Sequence, residues 1–218
     1  MPSGAFTKFE SNMLVDVSRM VESHGQLNDD GPGRRGLGHI TRGGVLLLCA
    51  AWELYLEELL IEAVEICIAR CADPDVLPEP VKHTISDYVR ASKHHFKPLA
   101  MSGDGWQTLY LEIAREHVSA LNTPKRHNID AMFLKLIGLA DLSDNWSVGP
   151  DAVNDFVSAR GDIAHRGKDA GYVTINRLRD EYIPQISRTA IESDNFVSLY
   201  LRNSFEPRRY PWNRRNIG

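Results

Sequence analysis

In the stretch FVSARGDIAHRGKDAG, residues 156–171, an arginine and a histidine that could do polar chemistry together stand five positions apart, Arg160 and His165. A guanidinium and an imidazole within a few ångströms of each other suit cleavage of a phosphodiester. Histidine moves a proton near neutral pH. Arginine holds a phosphate through two parallel hydrogen bonds and stabilises the charge that builds up on it. Five positions of an α-helix are about 500° of rotation, so the two side chains leave the axis about 140° apart. The length of arginine, and the loosening that Gly161 and Gly167 allow, let the pair converge if His165 lies at a helix end.

The spacing by itself says little, because it recurs along the chain; three of its occurrences are Arg34 with His39, Arg90 with His95, and Arg160 with His165. The first pair falls in a glycine-rich loop and the second at the frayed end of a predicted helix. Only the third sits between two amphipathic helices able to hold a site in place. On these residues alone, a helix cap with surface side chains competes with a catalytic pair, and the neighbouring elements have to decide.

Helical periodicity dominates the chain, and no stretch of strict alternation competes with it. A helix is predicted over Phe6–Glu22, followed by the loop HGQLNDDGPGRRGLGH, rich in Gly, Asp and Pro and read as mobile. The strongest helix spans Ile40–Asp73, ended by Pro74 and Pro78. Its Leu47–Ala51 section is apolar all round, which predicts deep burial. Further helices are expected at Val81–His94, Trp106–Leu121, Asn128–Leu136 with Gly138 in the cap region, and Asp151–His165. A last long one, Thr174–Phe205, is expected to bend at Pro184 or to start near it. The expectation is an all-α bundle built on a long central helix pair, one domain over residues 1–206, with a basic irregular tail over 207–218.

Composition sets outer limits. With 25 Lys and Arg against 29 Asp and Glu, net charge −4 and pI about 6.1, nucleic acid would have to be bound by a local cleft, not by the whole surface. The longest apolar run, GGVLLLCAAW, is shorter than a membrane span and is followed by glutamates, so no membrane role is expected. Three cysteines, Cys49, Cys67 and Cys71, and no leader-like start predict free thiols in a reducing, cytoplasmic setting.

Other groups are weighed against plainer readings. Glu53 lies in the most apolar part of the long helix. It is either a carboxylate seeking Arg160 or His165 as partner, or a solvated neighbour of Glu57. CIARC offers half a metal site, but no second pair at suitable spacing completes it, so buried thiols are expected, with no metal and no cofactor. SKHHF reads as an exposed helix end. In the tail, Arg208, Arg209, Arg214 and Arg215 alternate with Tyr210 and Trp212, a mix suited to RNA backbone contacts plus base stacking, or to a protein partner.

Four stretches together resemble the HEPN superfamily of α-helical domains, in particular its RiboL-PSP branch, found in bacterial stress and defence systems. They are RGGVLLLCAAWELYLEELL, LNTPKRHNIDAMFLKLIGLADLSDNW, ARGDIAHRG with its R-x(4–6)-H signature, and DAGYVTINRLRDEYI, and they span most of the chain from Arg42 to Ile183. The resemblance implies a metal-independent endoribonuclease acting as a homodimer, in which two motif copies face each other and form one composite cleft. It implies that Arg160 contacts the scissile phosphate and His165 is the acid or base; Glu53 and Asp162 are the supporting candidates beside them. The attacking group would be the 2′-hydroxyl of single-stranded RNA, leaving a 2′,3′-cyclic phosphate. Arg166, Lys168 and the four tail arginines would be the RNA-binding cations, and an antitoxin or neighbouring defence protein a further partner. The chain departs from the family pattern twice. Gly161 stands where a polar residue usually follows the arginine, and Gly167 where some relatives carry a tyrosine that is nucleotidylated. The first departure keeps a second reading open, a catalytically inactive dimeric module that binds RNA or protein.

Overall fold

The computed structural model describes residues 1–28, 36–166 and 172–216, and of Arg166 the backbone alone. The hydroxyl of Ser3 accepts the Phe6 N–H at 2.9 Å and so caps α1, Gly4–Lys8. A π-helical turn, Phe9–Met13, leads into α2, Leu14–Leu27. Then come α3, Gly38–Arg70, α4, Glu79–Ala91, α5, Gly105–Ser119, and α6, Arg126–Ile137. The chain continues through α7, Pro150–Arg166, a single turn α8, Ile175–Arg177, a second π-helical turn, Leu178–Tyr182, and α9, Ile183–Ser204. Among the described residues there is no strand. The wide turn over 178–182 comes immediately before Pro184, which has no N–H to give to the preceding turn. Part of the glycine-rich loop, residues 29–35, lies outside the described residues.

The 33 residues of α3 form the axis, packed against α1, α2, α5, α6, α7 and α9. Trp52, Tyr55, Leu56, Leu59, Leu60 and Val64 are fully buried on it. Phe6 and Phe9 pack on Tyr55, with ring centroids 6.1 and 5.1 Å away. The long pair is α3 with α9, joined by the Tyr55 hydroxyl, which donates to the Ala190 carbonyl at 2.8 Å. Cys49, Cys67 and Cys71 are free and buried, and burial pushes the Cys49 thiol up to about 12.

One expectation about α3 is corrected. Leu47 is not deeply buried: Leu46 and Leu47 are 38% and 37% exposed, and Ala50 and Leu54 are exposed with them. The packed neighbours cover only part of the circumference, and this stripe, which passes Glu53, has no element over it among the described residues.

The C-terminus of α6 shows how the bundle is fastened. The last carbonyls of a helix lack helical partners. Here Thr84 donates to Lys135, Tyr110 to Leu136, and Tyr200 to Ile137. Gly138 then turns with φ 78°, and a Cβ there would lie 2.4 Å from Pro78 Cβ, so only glycine fits.

The tail is irregular in backbone but folds back onto α9. Trp212 is buried, its carbonyl accepts from Ser198, and its indole donates to the Asp194 carbonyl at 3.1 Å. Asp194 is itself buried. Its Oδ1 accepts from the Ser3 hydroxyl, and its Oδ2 has no partner among the described residues. Burial pushes this carboxyl up to about 6, against the pull of the Ser3 hydroxyl. A raised carboxyl binds its proton more tightly folded than unfolded. Its contribution is therefore complete below the unfolded value of about 4 and is lost as pH rises through about 6, an effect of at most about 3 kcal/mol. Urea midpoints measured from pH 4 to 7 should fall less steeply for Asp194→Asn than for the wild type. Parallel curves would mean that Asp194 carries no proton of consequence.

Candidate active site

Arg160 lies on α7, whose inner face buries Val153, Phe156, Val157 and Ile163 against the core. That burial fixes the helix, and Arg160 extends from it toward α3 and the α5–α6 connection. Its Nη1 donates to the Asn122 carbonyl at 2.8 Å and lies 3.4 Å from Glu53 Oε2 on α3. Both contacts use Nη1. Among the described residues this leaves the Nε and Nη2 donors, which form one edge of the planar fork, to face a ligand. Glu53 is half-buried. Burial raises its carboxyl and the Arg160 charge lowers it, with burial the stronger of the two. Glu57, one turn on, is raised by its own burial and then by the Glu53 and Glu58 charges.

His165 is exposed on the last turn of α7. It shares with Arg160 an open cleft of about 460 Å³, whose wall also includes Thr123, Lys125, Gly161 and Asp162. Both residues of the pair thus line one cleft despite their angular separation on the helix. Asp162 accepts from the Tyr172 hydroxyl at 2.7 Å, and the Arg177 guanidinium lies 5.7 Å from the Tyr172 ring centre. Tyr172 is pushed up to about 12, by desolvation first and by the Asp162 hydrogen bond second, so it is a donor. Gly161 has open space beside its helix: a Cβ there would meet no atom from outside it within 4 Å among the described residues, so the polar side chain of the family pattern has room there.

The remaining candidates are placed differently. The Arg166 side chain and Lys168 lie outside the described residues. None of the four tail arginines lines the cleft. Arg208 pairs with Glu206 at 3.0 Å. The carbonyl of Arg209 accepts from Arg70, and Arg214 borders a small hollow with Asn195 and Glu192. Arg215 pairs with Glu10 at 2.6 Å and covers the Phe6 ring. Sequence reasoning passed over Asn122, Thr123, Lys125 and Tyr172. Asn122 holds Arg160 with a backbone carbonyl, which leaves no mark in residue type. Lys125, beside the helix start in NTPK, was open to notice.

No curated protein and no solved structure matches the chain. Among the described residues no helix is long and apolar enough to cross a membrane. The model of the RiboL-PSP-HEPN family matches residues 16–198, a span that includes α3, the Asn122 loop, α7 with its Arg160 and His165, and most of α9. The chain belongs to the RiboL-PSP branch of the HEPN superfamily, whose domains have RNA-related functions.

Proposed function

We propose that the protein is a metal-independent endoribonuclease for single-stranded RNA, a toxin or defence effector acting as a homodimer. The observation that carries the reading is the shared cleft: Arg160, held by Asn122 and Glu53 with one donor edge spare, and exposed His165 beside it. In this reading the spare edge of Arg160 binds the scissile phosphate. One histidine takes the proton of the 2′-hydroxyl as the 2′-oxygen bonds to phosphorus. As the bond from phosphorus to the 5′-oxygen breaks, the partner subunit's copy of the same residue protonates that oxygen. The exposed stripe of Leu46, Leu47, Ala50 and Leu54 runs past Glu53, at the edge of this site, and supports a second copy seated there.

The test is cleavage by the purified protein with EDTA present. Single-stranded RNA should be cut to products ending in a 2′,3′-cyclic phosphate, DNA should be left intact, and light scattering at micromolar concentration should give a dimer. A monomer that cleaves RNA would remove the composite site. A dimer that leaves RNA intact over a broad pH range would favour the inactive binding module, a reading to which the empty space at Gly161 lends weight.

A further inference from the structure

A second cleft, of about 290 Å³, adjoins the first and has no part in the chemistry just described. The two are linked through consecutive residues of the α5–α6 connection. Asn122 lines the second cleft while its carbonyl holds Arg160, and Thr123 lines the first cleft while its carbonyl accepts the Asn128 amide at 2.8 Å. These two residues are chain neighbours, with Cα atoms about 3.8 Å apart. The apolar part of the second cleft's lining includes Leu121 and Met132 of α6, both nearly buried. The polar part of the lining is His117 at the end of α5, Asn122, Asn128 and Lys135. The bond to Thr123 uses the Asn128 amide nitrogen and leaves its oxygen to accept. His117 is held below its usual range, by burial first and by the Lys135 charge second, so its imidazole is neutral at physiological pH.

A small cleft lined by apolar side chains together with donors and acceptors suits an unpaired nucleobase, which offers a π-face and a polar edge. The volume lies at the small end of ligand pockets, about 300–1,000 Å³. We propose that this second cleft is a base subsite of the same RNA site, taking the unstacked base of a nucleotide beside the scissile phosphate. It rests on the reading of the Arg160 cleft as the RNA site. Base selection then falls to His117, Asn128 and Lys135, none of which lines the first cleft.

The test separates the subsite from the chemistry by using a strand that cannot be cleaved. Short single-stranded oligonucleotides carrying a 2′-deoxy sugar at the scissile position are compared with versions abasic at one flanking position, by fluorescence anisotropy. Removing the base should weaken binding to the wild type about tenfold, the scale of one stacked base. Ala131 is exposed at the edge of the second cleft, so Ala131→Phe fills the cleft from a surface position. It should lose the same tenfold on the base-bearing strand and nothing on the abasic one, and His117→Ala should lose part of it. His165→Ala should keep the full base dependence. Equal binding of base-bearing and abasic strands at every flanking position would overturn the proposal, as would wild-type base dependence in Ala131→Phe. Base-dependent binding by a protein that never cuts RNA would sink the ribonuclease reading and leave the subsite standing.

Discussion

His165→Ala is expected to slow cleavage of single-stranded RNA by about 10²-fold or more, the usual scale for losing a positioned acid or base. Its thermal midpoint should stay at the wild-type value. The side chain stands exposed at the end of α7, and the contacts that fix that helix come from Phe156, Val157 and Ile163. Arg160→Lys should also be poor. The Arg160 guanidinium spends one nitrogen on Asn122 and Glu53, and in the proposed reaction the edge left open among the described residues would hold the phosphate. A lysine ammonium is a single point and cannot serve both sides in that geometry. The comparison is of initial rates at saturating RNA in EDTA, with a thermal melt on each variant. A His165→Ala protein that cuts within a few-fold of the wild type would remove His165 from the chemistry.

The largest effect on stability is expected at Trp52, the residue before Glu53. Its ring is fully buried, 5.8 Å from Tyr55 and 5.9 Å edge-on from Trp146. Trp52→Ala should lower unfolding free energy by about 3–5 kcal/mol, because the apolar transfer is lost and the cavity closes only in part. Trp52→Phe should cost much less than that. The buried indole N–H has no hydrogen-bond partner among the described residues, so the smaller ring also removes an unsatisfied donor. Urea denaturation of both variants checks the ordering. If phenylalanine cost as much as alanine, the indole nitrogen would have a partner, such as a water.

The axis of the fold was readable because α3 and its neighbours carry apolar residues at helical spacing and end at proline and glycine. Gly138 sits where its type demands, at φ 78°. Polar residues defeated the same reading. Glu192, Ser193, Asp194, Asn195 and Ser198 look like a solvated face of α9, yet all are buried. Their partners come from far along the chain: the Trp146 indole donates to Ser193, the Ser147 amide to Glu192, and the tail clasps Asn195. Residue type does not reveal such partners. At the site the opposite held. An acidic residue placed among leucines raised the need for a counter-charge, with Arg160 or His165 as partner or a solvated place beside Glu57 as the alternatives, and the structure puts Arg160 3.4 Å from Glu53. The second cleft could not be named beforehand, since it exists only where α5 and α6 approach each other.

The bare leucines on α3 have a kinetic consequence. If two copies of the cleft must meet to cut RNA, the active species scales with the square of the chain concentration until the dimer saturates. A cell making a few copies would carry nearly silent monomers, while a modest rise in synthesis would switch cutting on steeply. A partner protein seated on Leu46, Leu47, Ala50 and Leu54 would hold that switch open without touching Arg160 or His165.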